Sequence, residues 1–212
     1  MTARPYRAAR VAIALAFALI AGVASAGETD SKTLAGKLLV AAPSMPDGYF
    51  THSVVYMLHH DETGAMGVVV NNPMGVLPFV NIFEGLGVEP GIDDGLADNP
   101  VRIYSGGPVD AAQGFILYSD EYLDGEDPDN TVIGAGGLAL SMNIELMRDM
   151  AAGMGPEFSL LLFGYAGWGP GQLERELGRE DWISVPADDN LVFDSNDGTK
   201  WRRAMERLEI DL

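Results

Sequence analysis

The chain has 212 residues, of which 31 are acidic, 13 are basic and none is cysteine. Its net charge of −18 repels phosphate backbones and anionic membrane surfaces, so direct nucleic-acid binding is not expected. The lack of cysteine excludes disulfides, thiol nucleophiles and thiolate metal sites, while the length suffices for one domain with its own hydrophobic core.

Residues 1–26 have the three parts of a secretory signal peptide. A positive region with three arginines precedes an unbroken small and apolar stretch, residues 11–23, and Ala-Ser-Ala at 24–26 is typical of a cleavage site. The apolar stretch is shorter than the roughly 20 residues of a membrane-spanning helix, so no stable membrane anchor is predicted. We therefore predict a periplasmic protein with a mature domain of residues 27–212. If translation starts later, for example at Val23, the protein is cytoplasmic.

Short strands are predicted in the first half of the domain. They are residues 36–43, a hairpin of 53–60 and 65–71, residues 101–109, which contain a Ser-Gly-Gly-Pro corner, and residues 114–119. Residues 81–87 indicate a short helix that ends at Gly85 or Gly87.

The second half predicts three helices around one central strand. Residues 158–167 are apolar on both faces, which is typical of a buried strand, and residues 131–137 form a strand or turn. Ser141 is the expected N-cap of a helix through Met150, a second helix runs from near Pro170 to Gly178, and an apolar segment follows at 182–193. Trp201, Ala204, Met205 and Leu208 are spaced as one face of a terminal helix. Adjacent hairpins with interspersed helices predict a single α+β domain on a mixed sheet.

Five sequence blocks, in this order, resemble the YqgE/AlgH family. They are Gly-Ala-Met-Gly-Val-Val-Val-Asn-Asn-Pro, Ser-Gly-Gly-Pro-Val, Gly-Phe-Ile-Leu-Tyr, Gly-Tyr-Ala-Gly-Trp-Gly-Pro-Gly-Gln-Leu-Glu-Arg-Glu and Trp-Ile-Ser-Val-Pro-Ala-Asp. The likeness runs from about Leu34 to Leu212. It implies a bulged mixed β-sheet with flanking helices; it assigns no biochemical activity, although some relatives are labelled regulators of transcription tied to alginate synthesis.

The resemblance also points to individual residues. The positions that match family motifs are His60, Asn71, Pro73, Gly106, Gly107, Pro108, Tyr165, Trp168, Gly171, Gln172 and Glu174. This chain departs from the family at Asn72, where lysine or arginine is usual, and at Tyr118, where histidine is frequent. Because a cation and a titratable ring are lost, both departures weaken the proposal that this chain binds an anion.

The glycine-rich corner at residues 164–176 is not a nucleotide-binding loop. It lacks the lysine and hydroxyl that a Walker sequence supplies at the end of its glycine run. With Gly169 as N-cap, Gln172 can reach back to the cap as in ordinary helix capping. Trp168 packs either into the core or along a pocket beside Tyr165.

Catalytic and metal sites have little support in the sequence. His52, His59 and His60 cannot chelate one ion if they lie on one strand, since neighbours point to opposite faces. Ser105 with His60 as base and Asn71 as an orienting group is an alternative hydrolase site. The acidic loop at 124–130 could hold calcium but lacks the spacing of a calcium-binding loop.

We predict a non-catalytic binding or regulatory module without metal or cofactor, whose partner is an unidentified small molecule or protein. Loops supported by rigid strands commonly carry binding. The predicted binding residues are His60, Asn71, Gly106, Gly107, Tyr165, Trp168 and Gln172. The alternatives are the small-molecule hydrolase with His60 and Ser105, and a cytoplasmic regulator of transcription.

Overall fold

The computed structural model describes residues 33–46, 48–92, 94–119, 122 and 131–207. The predicted signal peptide, the calcium alternative at 124–130 and the predicted helical position Leu208 lie outside the described residues. Within the described ranges, no helix has the length and apolar character that crossing a membrane requires.

Ten strands and six helices make up the described part of the chain. The strands are β1 (Lys37–Ala41), β2 (Val54–Asp61), β3 (Gly64–Val69), β4 (Pro73–Pro78), β5 (Pro100–Ser105), β6 (Val109–Ser119), β7 (Thr131–Ile133), β8 (Leu138–Ser141), β9 (Ser159–Trp168) and β10 (Trp182–Pro186). The helices are α1 (Phe79–Leu86), α2 (Asp94–Ala97), α3 (Ile144–Ala151), α4 (Gln172–Gly178), α5 (Asp189–Val192) and α6 (Asp197–Glu206).

The strands form one sheet around β9. Its main path runs β10-β1-β2-β3-β9-β6-β8-β7, and β4 joins through β5. One edge of β9 pairs with β3 at residues 166–168 and with β5 at residues 161–163, while β6 covers the other edge. The β5–β9 pairing is parallel and the remaining pairs between described strands are antiparallel. The predicted α+β fold on a bulged mixed sheet is confirmed, with register shifts in β2, β4 and β6.

Apolar side chains fill both sides of the sheet. One cluster surrounds Trp168 and Trp182 and includes Met57. The other packs α1 and α3 against the sheet through Phe83 and Leu146. Because β9 contributes to both clusters, its unbroken apolar sequence is the expected pattern of a central strand.

Several element boundaries differ from the sequence prediction. Ser141 ends β8 instead of capping α3; the N-cap is Asn143, whose Oδ1 accepts from the Glu145 amide at 2.9 Å. Helix α4 has Gly171, not Gly169, as its N-cap, with the left-handed φ of 68° that glycine tolerates. Of the two proposed ends of α1, Gly87 is the one observed, also in the left-handed region.

The sequence does not predict strand β4, because Pro-Met-Gly-Val-Leu-Pro at residues 73–78 has no polar residue and therefore no alternation of apolar and polar positions. Its prolines also argue against a strand. In the structure, residues 73–77 are all exposed. Its antiparallel pairing with β5 defines the strand.

Candidate functional site

Most of the predicted binding residues lie near one or the other end of β3, whereas Gly107 lies against Tyr165 beside the middle of the strand. At one end, Ala65 pairs with both His60 and Trp168. At the other end, the Val69 amide donates to the Gly106 carbonyl at 2.8 Å. Four residue steps at about 3.3 Å place these ends roughly 13 Å apart. Whether either group binds a ligand stays a prediction.

His60 is held by two hydrogen bonds. Its Nδ1 accepts from the Leu34 amide at 3.1 Å, and its Nε2 lies 2.9 Å from Glu174 Oε1. Because Nδ1 is the acceptor, the neutral ring carries its proton on Nε2 and donates it to Glu174. The backbone hydrogen bond at Glu174 and this bond from His60 lower the pKa of the Glu174 carboxyl.

Trp168 lies in the core at 6% exposure, so the packing interpretation of this tryptophan is the correct one. Its Nε1 and that of Trp182 donate to the same Glu176 oxygen, Oε2, at 2.8 and 2.9 Å. Gln172 donates to the other oxygen, Oε1, at 2.9 Å. Burial opposes ionisation of Glu176, but these three bonds outweigh it and its pKa is lowered.

Gln172 also makes the predicted capping contact. Its Oε1 accepts from the Gly169 amide at 3.2 Å, although the helix itself starts later. Gln172 therefore joins the glycine corner to the Glu176 carboxylate, a structural role that leaves both ends of its amide engaged.

Gly106 and Gly107 allow the chain to pass directly against β9. A Cβ atom on Gly107 would lie 1.9 Å from the Tyr165 carbonyl carbon, and one on Gly106 would lie 2.3 Å from the Gly164 carbonyl oxygen. These glycines are required for backbone packing.

The Tyr165 ring packs edge-on against Phe115. Burial, followed by the negative charge of Asp110, raises the pKa of its phenol.

Asn71 fixes the chain that enters β2. Its Oδ1 accepts from the Val54 amide at 2.8 Å, and its Nδ2 donates to the His52 carbonyl at 2.9 Å. The first contact is to Val54, where β2 begins, and the second is to His52, in the loop that forms one wall of a cleft, so Asn71 ties the chain after β3 to that wall.

The cleft has a volume of about 430 Å³, within the range of small-molecule sites. The loop before β2 and the first turns of α6 form its two walls, and the Asn-Asn corner after β3 lies between them. The lining residues are Tyr49, Thr51, His52, Ser53, Asn71, Asn72, Asp197, Gly198, Trp201 and Arg202.

The aromatic side of the cleft is rigidly positioned. His52 has a φ of 57°, which is rare for a residue with a side chain, and its ring contacts Trp201 edge-on at a centroid distance of 4.5 Å. Trp201 Nε1 donates to the Ala41 carbonyl at 2.8 Å. The Trp201 ring is thus tied to β1 while one side lines the cleft.

Ser105 lies beside this cleft and not beside His60. The Tyr49 hydroxyl lies 2.6 Å from Ser105 Oγ, and the Ser105 amide donates to the Asn72 carbonyl at 2.9 Å. His60 makes its two contacts at the far end of β3. The hydrolase alternative with His60 as the base for Ser105 is therefore wrong, since a nucleophile and its base must lie within hydrogen-bond reach.

An ionic cluster that the sequence analysis missed lies below the cleft. Lys200 is 0% exposed and donates to the Val70 and Val192 carbonyls at 2.7 and 2.9 Å. Its Nζ lies 3.4 Å from Asp197 Oδ1, and Arg102 donates to Asp197 Oδ2 at 3.0 Å. The three-residue spacing of Asp197 and Lys200 was the available signal, but such pairs are common on exposed helix faces.

Burial changes the protonation behaviour of this cluster. It lowers the pKa of Lys200, although the Asp197 carboxylate opposes the change. It also raises the pKa of Tyr104 to about 12, to which the Asp197 charge contributes. Asp197 lines the cleft, so it connects the buried charges to the surface site.

The three histidines have separate surroundings. His52 contacts Trp201, His59 lies 3.2 Å from Asp61, and His60 contacts Glu174. Across the described part of the chain, no three histidine, aspartate or glutamate side chains converge as metal ligands would.

Comparisons with known proteins agree on one family. A family model described as AlgH-like matches residues 38–212. The chain is 38% identical over 177 residues to a UPF0301 protein of Methylococcus capsulatus, covering 84% of this chain and 92% of that protein. It is 36% identical to the AlgH protein of Pseudomonas aeruginosa, whose solution structure superposes with a TM-score of 0.70 over 86% of this chain and 92% of that one. A Corynebacterium diphtheriae protein structure matches at 27% identity and a TM-score of 0.59, covering 81% and 85%.

Proposed function

The chain belongs to the AlgH-like family, and we propose that it is an exported, non-catalytic binding or regulatory module that takes a small molecule in the cleft beside Asn71. The family resemblance carried by the five sequence blocks is confirmed, and the family gives the fold without assigning an activity.

The observation that carries the proposal is the composition of the cleft. Two sequence-distant corners meet there, because Asn72 bonds to Ser105 and Ser105 contacts Tyr49. Aromatic rings from both walls, amide and hydroxyl groups, and the exposed Arg202 converge on about 430 Å³. The lining is mainly polar, so its hydroxyl, amide and charged groups suit a polar small molecule, while the rings of Tyr49, His52 and Trp201 add aromatic surface.

The absence of catalysis is supported by how the polar groups are engaged. The Asn71 amide is occupied at both ends by backbone groups, and His60 is occupied at both ring nitrogens. Ser105 has a tyrosine hydroxyl as its neighbour, and a neutral phenol is a poor general base at neutral pH.

A ligand-observed NMR screen of a metabolite-like fragment library tests the binding. We expect hits whose addition shifts the resonances of Tyr49, Asn72 and Trp201, and whose binding weakens in Arg202→Ala and Tyr49→Phe. Arg175→Ala is the matched control, because Arg175 is an arginine on α4, away from the residues that line the cleft. Hits that bind both arginine variants equally, or a screen without hits at the cleft, would refute the proposal.

Export is the second part of the proposal and rests on the signal-like residues 1–26. Amino-terminal sequencing of the protein from fractionated cells tests it. We expect a chain that begins at Gly27 in the periplasmic fraction. An intact amino terminus in the cytoplasm would refute export and favour the cytoplasmic alternative.

A further inference from the structure

We propose that the small molecule bound in the cleft is an organic anion, and this proposal depends on the small-molecule function proposed for the cleft. The charged group of the ligand is a carboxylate or a phosphate ester. It lies between Arg202 and the first turn of α6, where the cleft is bordered by positive charge.

Basic residues are concentrated around α6, although the chain as a whole is acidic. Three of the 13 basic residues precede residue 27, which leaves ten. Five of these ten lie on α6, at its end or against it: Arg102, Lys200, Arg202, Arg203 and Arg207. Exposed charges more than roughly 8–10 Å away are largely screened at physiological salt. The groups around α6 therefore determine which charge the cleft attracts.

The carboxylates around α6 do not cancel this positive charge. Asp197 is contacted by two cations, since Arg102 Nη1 lies 3.0 Å from its Oδ2 and Lys200 Nζ lies 3.4 Å from its Oδ1. One positive charge is thus in excess below the cleft. Two further arginines are balanced one to one by carboxylates, in the pairs Arg203–Asp194 and Arg207–Asp188.

Arg202 adds a cation to the lining of the cleft itself. Its Nε lies 3.8 Å from Glu206 Oε1, and the two side chains are 68% and 63% exposed. Exposed pairs of this kind contribute little, so the guanidinium keeps donors for a ligand. Its planar fork can donate to two oxygens of one carboxylate or phosphate group. Asn72 is neutral, and Arg202 supplies the cation that the sequence did not place beside it.

Hydrogen-bond donors face this charge from both walls. Ser53 is 5% exposed and lines the cleft, yet its hydroxyl has no hydrogen-bond partner among the described residues. This oxygen is not enclosed by protein, so it opens to the cleft. On the other wall, α6 is ten residues long and its N-cap Asn196 makes no side-chain capping bond. Gly198 lies in that first turn and lines the cleft, where the backbone amides carry partial positive charge.

The combined surroundings favour an anion over a neutral molecule or a cation. Excess positive charge, first-turn amides and an unpartnered hydroxyl all interact favourably with negative oxygens. A cation would instead lie beside Arg202. The rings of Tyr49 and Trp201 line the same cleft and offer a surface for the uncharged body of an organic ligand.

NMR titration with four probes of similar shape tests the class of ligand. Benzoate is negative, benzamide neutral and benzamidine positive, while phenyl phosphate replaces the carboxylate by a phosphate ester. We expect at least one anion to shift the Gly198 amide and Trp201 indole resonances and to bind at least about tenfold more tightly than benzamide and benzamidine. Its affinity should fall as salt is added. The tighter of the two anions identifies the charged group.

Substitutions locate the charged group of the probe. Arg202→Gln should weaken binding of the anion at least about tenfold and change benzamide binding by less than about twofold. Arg175→Gln is the matched control, because it removes the same charge from an exposed residue of α4, and it should change anion binding by less than about twofold. Ser53→Ala should weaken anion binding about threefold or more without lowering the melting temperature.

Three results would overturn the choice of an anion. Equal binding of benzamide or benzamidine at the cleft shows that the site does not select negative charge, while small-molecule binding itself is then supported. Equal weakening by Arg202→Gln and Arg175→Gln shows a general effect of net charge. If neither anion shifts the cleft resonances at millimolar concentration, the ligand is not an organic anion, and neutral hits from the fragment screen would still support the small-molecule function.

Discussion

Lys200 and Asp197 face each other inside the protein, with 3.4 Å between Nζ and Oδ1 and side-chain exposures of 0% and 6%. One turn of α6 carries both residues, and Arg102 contacts the same carboxylate from β5. This cluster links α6, which lines the cleft, to the carbonyls of Val70 and Val192.

Asp197→Asn should lower the free energy of unfolding by about 3–5 kcal/mol, since removing one partner leaves a buried charge without compensation. The double variant Asp197→Asn/Lys200→Met should lose less than the sum of the single variants, because the second change removes the uncompensated charge. Urea denaturation of all four proteins measures the coupling. Strict additivity of the two single changes would contradict an energetic pairing.

Tyr104 should keep its proton at alkaline pH. Burial, followed by the charge of Asp197, raises its pKa to about 12 from 10.0. A raised pKa means that the neutral phenol is favoured in the folded protein, so its stabilising contribution is complete below pH 10.0 and is lost as the pH rises towards about 12. Tyr104→Phe should therefore show a smaller loss of stability over this interval than the unmodified protein, measured by urea denaturation at each pH. Identical slopes would argue against the raised pKa.

Gly107→Ala should prevent correct packing of the corner against β9. The added Cβ would lie 1.9 Å from the Tyr165 backbone, and backbone cannot move away as a flexible side chain can. We expect a loss of more than about 4 kcal/mol, or an unfolded product.

Gly85→Ala is the control for this change. Gly85 lies in α1, and outside that helix no described heavy atom comes within 4 Å of the added carbon. This variant should be neutral or stabilising by up to about 1 kcal/mol. Thermal melts compare the two variants, and a near-native melting temperature for Gly107→Ala would show that the corner can yield to a side chain.

Glu176→Gln should destabilise the protein at neutral pH and reduce its sensitivity to acid. Burial opposes the charge, but the bonds from Gln172, Trp182 and Trp168 lower the pKa of Glu176 below 4.5. A lowered carboxyl pKa contributes stability above pH 4.5 that is lost as the pH falls through the folded-state value. We expect a loss of about 1–3 kcal/mol at pH 7, from weaker hydrogen bonding of the two indoles.

Urea denaturation between neutral pH and pH 3 measures this effect. The exposed Glu62→Gln provides a surface control, with an expected change within about 0.5 kcal/mol at neutral pH. If Glu176→Gln loses stability on acidification as steeply as the unmodified protein, the carboxylate does not contribute as described.

The sequence was most informative where the backbone is constrained. Gly106, Gly107 and Gly87 marked corners that a side chain would obstruct or strain, and those corners lie where predicted. The apolar run that became β9 indicated a strand with two buried faces. Strand β4 was missed because its residues 73–78 show no alternation of apolar and polar positions. The cap of α3 was missed because both Ser141 and Asn143 are residues that favour caps.

What the sequence determined by itself is therefore the family, the α+β class and the tight corners, since these depend on local backbone geometry and on which segments avoid water. Only the tertiary structure decided which corners meet. It brought Asn72 and Ser105 to one cleft and left His60 and Trp168 at the other end of β3, because strand register sets distances between residues that are far apart in the chain. The buried Lys200 and the cleft above it follow from that register.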